Sequence, residues 1–175
     1  MNKKLIAEGY DKASNDFEKI PIEQIHLFRK LINRQFGDMS KLIYVDFVDH
    51  EPYEYTTIDP MFNDFRKGLI KVNTTGNDSD LWGKVYNLMF RAVHDIFHCQ
   101  LAADFTFDDE VHAWKFQVHK TRSEYITDKE FLNLDWELFS NMLRSEIVYQ
   151  GAYKEVTGMF HIDQKIVLTD LTKNI

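Results

Sequence analysis

The chain has 175 residues, of which 44% are hydrophobic and 28% are charged, and its formal net charge is −7. This size and composition predict a single folded domain over residues 1–175 and argue against a disordered chain. The acidic balance disfavours nonspecific binding to nucleic acid, and the single cysteine, Cys99, excludes an intrachain disulfide and indicates a reducing, cytoplasmic setting.

The first half of the chain is expected to combine helix and strand. Charged residues interrupt every apolar run near the N-terminus, so we expect neither an export signal nor a transmembrane segment. Pro21 opens a helical pattern that runs through Ile32 and is expected to end at Gly37. Two segments rich in β-branched and aromatic residues, 42–48 and 69–72, predict a small two-stranded β element.

A long helix is predicted in the middle of the chain, from a cap at Ser79 or Asp80 to about Ala103. It is apolar nearly all round, which is typical of a buried helix rather than a surface one. The predicted fold class is therefore mainly α, or α+β. We expect a compact helical domain around this buried central helix, with the two-stranded β element beside it.

Two further helices are expected after the central one. The first begins with acidic residues and covers about 108–124. The second covers about 128–156, with Gly158 beyond its end. Residues 166–168 are expected to form an edge strand or a frayed end. We expect both helices to pack against the central helix and to bring their carboxylates to it.

A candidate metal site lies in the predicted central helix. His94 and His98 are four residues apart, and Glu110 follows with eleven residues between. Side chains at i and i+4 lie on one helix face, so both imidazoles can reach one ion. Nitrogen and oxygen donors without thiolate suit Zn²⁺, with Fe²⁺ or Mn²⁺ as alternatives. The alternative interpretation is two core histidines bonded to backbone, but burying several ionisable groups without an ion would be costly.

Asp95 lies between the two histidines. It is a candidate fourth ligand, or the group that orients an imidazole through its second nitrogen. The structural alternative is a salt bridge to Arg91 or Lys84. Cys99 has no partner motif, and we expect it to be a structural thiol.

Two polar residues interrupt the apolar stripe of the last helix, Glu146 and Gln150. A carboxylate in such a position must be paired, protonated or bound to metal. Glu146 is therefore a candidate ligand or general base, against a structural salt bridge to Arg91 or Arg144. Gln150 is either a hydrogen-bond bridge or a contact to substrate.

Three more polar residues share a face with the predicted ligands. Arg91, one turn before His94, either binds an anionic substrate group or neutralises buried carboxylates. Asn87, one turn earlier, either touches substrate or bridges to a neighbouring helix. Gln117 shares the face of Glu110 and is a candidate contact in the surroundings of the site.

The spacing H-D-x-x-H-x11-E, formed by His94, Asp95, His98 and Glu110, resembles the signature of a family of coenzyme Q biosynthesis proteins. The preceding residues 90–93, Phe-Arg-Ala-Val, also resemble the lead-in of that family. The family is all-helical and binds zinc through these residues, so the resemblance implies zinc at the same positions here. It also implies decarboxylation or hydroxylation of an aromatic ring. The resemblance is confined to this stretch of the chain.

A wider stretch, from about residue 44 to 153, resembles a group of uncharacterised phage-type proteins. The resemblance rests on residues 50–53, 90–95 and 110–114, with Glu146 and Gln150. That group usually has a glycine before the second histidine, which makes the spacing i+5, whereas this chain has i+4. It also often has a histidine where this chain has Gln117. The resemblance supports the site without naming a reaction, and it implies the host cytoplasm if the chain is phage-encoded.

Three functions fit these residues. The first is a metal-dependent enzyme, a hydrolase or lyase, with water at an open position of the ion, Glu146 as the proton carrier and a small-molecule substrate. The second is a phosphohydrolase of the histidine–aspartate type, which needs an upstream histidine (His26 or His50) and a downstream aspartate, where this chain offers glutamate. The third is a non-catalytic binding or virion protein stapled by a closed metal site. The sequence predicts no particular oligomeric state.

Overall fold

A computed structural model of the chain describes residues 1–54, 57–76, 79, 81–161 and 164–173. The mainly helical prediction with a small two-stranded sheet is confirmed. The elements are α1 (Lys3–Lys12), α2 (Ile22–Met39), β1 (Tyr44–Val48), α3 (Asp59–Phe65), β2 (Leu69–Asn73), α4 (Gly83–Leu101), α5 (Phe107–Tyr125), α6 (Trp136–Arg144) and α7 (Gln150–Thr157). Single 3₁₀ turns lie at Phe17–Lys19 and Lys129–Phe131, and a π-helical turn, Ser145–Tyr149, joins α6 to α7.

Backbone contacts divide the chain into two compact units. The central unit contains Ile25–Phe105, and the terminal unit contains Met1–Gln24 together with Thr106–Ile175. The single domain expected from the sequence stays a prediction. Among the described residues, no helix combines the length and the apolar character needed to cross a membrane.

In the central unit, β1 and β2 pair in parallel, with Tyr44 opposite Leu69 and Val48 opposite Asn73. Parallel neighbours need a crossover connection, and α3 lies in it. Helix α4 packs on this element through buried apolar side chains, which form one core cluster: Tyr53, Ile58, Met61, Ile70, Val72, Ala92, Ile96 and Cys99. The predicted histidine ligands, His94 and His98, are not part of this apolar cluster.

In the terminal unit, residues 164–173, which we call the C-terminal segment, are held by single hydrogen bonds to backbone and side chains rather than by a sheet. The amide of Asp16 donates to the carbonyl of Ile166 at 2.7 Å, and its carboxylate accepts from the amide of Leu168 at 3.0 Å. Ser145 Oγ accepts from the amide of Val167 at 2.9 Å. The edge strand predicted over 166–168 is therefore wrong, and so is a frayed end, because two apolar residues of this segment are buried.

Two predicted boundaries in the central unit are wrong. Helix α2 continues through Gly37 to Met39, since a glycine inside a helix costs only about 1 kcal/mol. Helix α4 begins at Gly83 rather than directly after Ser79. The hydroxyl of Ser79 instead accepts a hydrogen bond from the amide of Trp82 at 3.2 Å. Asp80, the other predicted cap, lies outside the described residues.

The last predicted helix begins later than expected. Asp128 does accept an amide, but it caps only a 3₁₀ turn. Asp135 is the cap of α6, accepting from the amides of Glu137 and Leu138 at 3.1 and 2.9 Å. The predicted stop is confirmed, because Gly158 follows α7 in the left-handed conformation with φ 82°.

Candidate metal centre

His94 and His98 face each other on α4. Their Nε2 atoms are 3.1 Å apart, and the rings meet edge to face with centroids 4.5 Å apart. His98 is fully buried, whereas His94 is partly exposed. The i, i+4 spacing thus directs two ring nitrogens at one point, where a shared cation or a shared proton relieves the repulsion of their lone pairs.

A backbone contact of His98 fixes which of its two ring nitrogens carries the hydrogen. Its Nδ1 lies 3.2 Å from the carbonyl oxygen of Ala103. A carbonyl oxygen only accepts, so Nδ1 carries the hydrogen and Nε2 keeps a lone pair. A backbone carbonyl in this role is the usual support of a metal-binding histidine. The turn after α4 supplies this carbonyl, because Ala102 adopts the left-handed conformation with φ 49°.

Aromatic rings pack against both imidazoles. Phe90 stacks on His94 with centroids 6.0 Å apart, and Phe105 stacks on His98 at 4.9 Å. Trp82 in turn stacks on Phe90 at 5.2 Å. These apolar neighbours restrict the rotamers of the two histidines and lower the local polarity, which strengthens electrostatic interactions at Nε2.

Glu110 lies in the first turn of α5, which Thr106 caps through its side chain. There the carboxylate benefits from the positive end of the helix dipole. The side chain lies against α7 at Gly151, where an added Cβ would come within 3.2 Å of Glu110 Cγ. Gly151 was not predicted as a site residue. Its only signal in the sequence is a glycine within a helical pattern, and such glycines have many other causes.

Three of the four predicted ligands come together in the structure. His94, His98 and Glu110 each offer one ligand atom, and these atoms all lie within 4.8 Å of one another. Groups of this kind could hold a metal ion. His98 is buried, whereas His94 and Glu110 are each partly exposed.

Asp95 is not a member of this group. It is buried on α4, and its charge acts on two residues of the central unit. Burial raises the pKa of the Cys99 thiol to about 12, with the nearby Asp95 carboxylate adding to the effect. Burial likewise raises the pKa of Tyr53 to about 12, again with a contribution from Asp95. The roles of Asp95 as a ligand or as an orienting group stay predictions, and Cys99 is the buried thiol that was expected.

Glu146 and Gln150 lie where the π-helical turn meets α7. Gln150 donates from Nε2 to Glu146 Oε2 at 3.1 Å, and Gln150 is buried while Glu146 is partly exposed. Hydrogen bonds from i to i+5 widen this turn, and such turns occur frequently at functional sites. This turn could not be predicted from the sequence, because a single π-helical turn produces no distinct hydrophobic period.

Arg144, one of the two arginines considered as structural partners of Glu146, is engaged elsewhere. Arg144 pairs with Asp170 at 2.9 Å and donates to Asn141 Oδ1 at 2.9 Å. Within the described residues, no Arg144–Glu146 salt bridge is formed.

Arg91 makes contacts that the sequence analysis did not predict. Its guanidinium donates to the carbonyls of Asn73, Thr75 and Gly76, at 3.1, 2.9 and 2.5 Å. It thereby fastens the loop that follows β2. Asn87 is buried one turn away, and its Nδ2 makes no hydrogen bond within the described part of the chain. Gln117 is fully buried on α5.

The two upstream histidines considered for a histidine–aspartate phosphohydrolase lie on the surface. His26 is exposed on α2, and His50 is exposed with its Nδ1 3.4 Å from Asp49. Neither belongs to the His94, His98 and Glu110 group. Their exposure disfavours that class.

Comparison of the chain with protein families, with curated proteins and with solved structures finds no match. The resemblances to coenzyme Q biosynthesis proteins and to phage-type proteins therefore rest on the motif residues alone and stay predictions.

Proposed function

We propose that this protein binds one divalent metal ion, zinc in the first place, through His94, His98 and Glu110, and that it is a metal-dependent enzyme acting on a small molecule. One observation carries the proposal: one ligand atom from each of the three residues lies within 4.8 Å of the other two. The buried His98, with its Nδ1 bonded to a carbonyl, has the support expected of a metal ligand.

The donor set fits a catalytic ion better than a structural one. Structural zinc sites have four protein ligands, whereas catalytic sites have three and keep one position open. Two histidines and one carboxylate also form the set that non-haem iron(II) enzymes use, which supports Fe²⁺ as an alternative, with Mn²⁺ the third choice. If Asp95 were a fourth ligand, no position on the ion would remain for water or substrate. The non-catalytic alternative requires this four-ligand arrangement.

A bound divalent ion would supply a Lewis acid that polarises a carbonyl or carboxylate and activates water for hydrolysis. Glu146 is the residue we assign to proton transfer. Gln150 donates from Nε2 to Glu146 Oε2 at 3.1 Å and so orients this carboxylate, a group that can take up or deliver a proton. The resemblance to coenzyme Q biosynthesis proteins adds decarboxylation or hydroxylation of a ring as candidate reactions for the same residues.

The test is elemental analysis of the purified protein by mass spectrometry, with His94→Ala, His98→Ala and Glu110→Gln as variants. We expect about one zinc, iron or manganese per chain, lost in each variant. His119→Ala is the matched control, because His119 is exposed on α5, and it should keep the metal. A native protein without metal after reconstitution with each of the three ions would overturn the proposal.

Glu146→Gln separates the enzyme from the metal-stapled alternative. The variant should keep the metal and the fold but lose turnover in a screen of ester, amide, phosphate and carboxylic-acid substrates. Full metal occupancy with no turnover of any substrate by the native protein, combined with unfolding of His98→Ala, would favour the non-catalytic protein instead.

A further inference from the structure

Gly151 occupies a position where glycine carries a cost. It is the second residue of α7, Gln150–Thr157, and has ordinary helical geometry. Glycine inside a helix is less stable than alanine by about 0.5–1 kcal/mol, because the unfolded chain has more freedom to lose. Glycine is often found at the ends of helices where the backbone is left-handed, but Gly151 does not have a positive φ. The absence of a side chain at this position therefore needs another explanation.

The explanation lies in what faces Gly151. An added Cβ would be 3.2 Å from Glu110 Cγ, 3.5 Å from its Cβ and 3.9 Å from its Cδ. Carbon atoms in contact prefer about 3.5–4.0 Å, so the first distance is too short. Glu110 thus lies along α7 over the bare backbone of Gly151, and the contact involves the whole of its aliphatic part.

Two other glycines inside helices, Gly37 and Gly9, show that this contact is specific to Gly151. At Gly37, in α2, an added Cβ would meet nothing within 4 Å. At Gly9, in α1, it would reach the tip of Leu171 at an ordinary 3.4 Å. Neither position would force a neighbouring side chain to move.

We propose that Gly151 is a positioning residue for Glu110: the absent side chain lets the glutamate lie flat on α7 and so sets the direction in which its carboxylate reaches the metal. The inference rests on the proposed metal site. Two consecutive residues at the start of α7 thus contact the two carboxylates, Glu146 and Glu110, to which we assign roles. Gln150 bonds Glu146, and the next residue, Gly151, accommodates Glu110.

The test is Gly151→Ala, measured by chelator competition for Zn²⁺ and by the visible absorption of the Co²⁺-loaded protein. Displacing a ligand by a few tenths of an ångström should weaken metal binding by about 10–100-fold, as loss of outer support does at other metal sites. It should also change the Co²⁺ spectrum, which responds to ligand geometry. Gly37→Ala and Gly9→Ala are the controls, and both should keep the native affinity and the native spectrum.

A double-mutant cycle ties the effect to Glu110. The readout is the free energy of unfolding of the metal-free protein, because Glu110→Ala also removes a proposed ligand. In Glu110→Ala, which removes the crowded atoms, Gly151→Ala should cause no loss of stability, whereas it should destabilise the protein that has Glu110. If Gly151→Ala alone does not fold, the double variant should fold, because the clash is gone. A double variant that also fails to fold, or one in which Gly151→Ala costs as much stability as it does beside Glu110, would overturn the inference.

The failure of this inference is separable from the failure of the proposed function. Native protein that binds metal while Gly151→Ala binds it equally well, with the same Co²⁺ spectrum, overturns the role of Gly151 and leaves the metal site intact. Native protein that binds none of the three ions overturns the metal site and the positioning role with it.

Discussion

The carbonyl oxygen of Ala103 lies 3.2 Å from Nδ1 of His98, and it does so because Ala102 adopts a left-handed conformation. A non-glycine residue in that conformation costs about 1–2 kcal/mol. The amide of Ala103 also donates to the carbonyl of His98 at 3.1 Å. A change in the turn that ends α4 should therefore also change the orientation of the His98 imidazole.

Ala102→Gly should relieve the strain at this turn without moving the Ala103 carbonyl. We expect the free energy of unfolding to rise by about 0.5–1 kcal/mol in urea denaturation, with metal affinity unchanged. Ala102→Val places a β-branched side chain at positive φ and should lower both stability and metal affinity. A gain in stability from valine, or a loss from glycine, would contradict this account.

Local patterns explain which elements could be predicted from the sequence. The β-branched run that ends at Val48 predicts a strand, and the apolar residues around α4 predict a buried helix. The start of α6 was missed because Asp128 and Asp135 both satisfy the chemistry of a helix cap, and only tertiary packing chooses between them.

Of the candidate site, the histidine pair could be predicted because helical geometry alone brings i and i+4 together. Arg91 shows the limit of this reasoning. Arg91 lies on α4, within the predicted central helix, but its partners are backbone carbonyls of a loop. Every residue has a backbone carbonyl, so the sequence does not indicate which ones an arginine will bind. The contact of Gly151 with Glu110 is likewise a packing relation between distant segments.

Arg91→Lys should loosen the loop after β2, because a lysine cannot bond several carbonyls with one planar group. We expect a loss of about 1–2 kcal/mol in the free energy of unfolding, and faster hydrogen exchange confined to residues near 73–76. Metal content should stay at the native level. If stability is unchanged and only substrate turnover falls, Arg91 has the substrate-binding role considered from the sequence.

Cys99 should resist thiol reagents in the folded protein. Burial raises the pKa of its thiol to about 12, so almost no thiolate exists at pH 8. Mass spectrometry after iodoacetamide treatment at pH 8 should find Cys99 unmodified in native protein and fully modified in urea. A cysteine placed at the exposed position of His119 is the control and should react at once. Rapid modification of native Cys99 would contradict its buried position.

The Arg144–Asp170 pair, in which Arg144 is buried and Asp170 is partly exposed, should contribute to the acid stability of the terminal unit. Burial raises the pKa of Asp170, but hydrogen bonds from Thr172 and the Arg144 guanidinium outweigh it, and the net pKa is lowered. A carboxyl whose pKa is lower in the folded state stabilises the fold fully above its unfolded pKa, about 3.9, and loses this contribution as the pH falls through its folded pKa.

Asp170→Asn should therefore lower the free energy of unfolding by about 2 kcal/mol at pH 7, and this difference should shrink as the pH falls below about 3.9. Urea denaturation from pH 2 to pH 7 measures this difference. Asp38→Asn is the matched control, because Asp38 pairs with Arg34 and Lys41 on the surface, where ion pairs contribute at most about 1 kcal/mol. A constant difference between Asp170→Asn and the native protein across this range would show that the lost stability comes from packing rather than from the charge of Asp170.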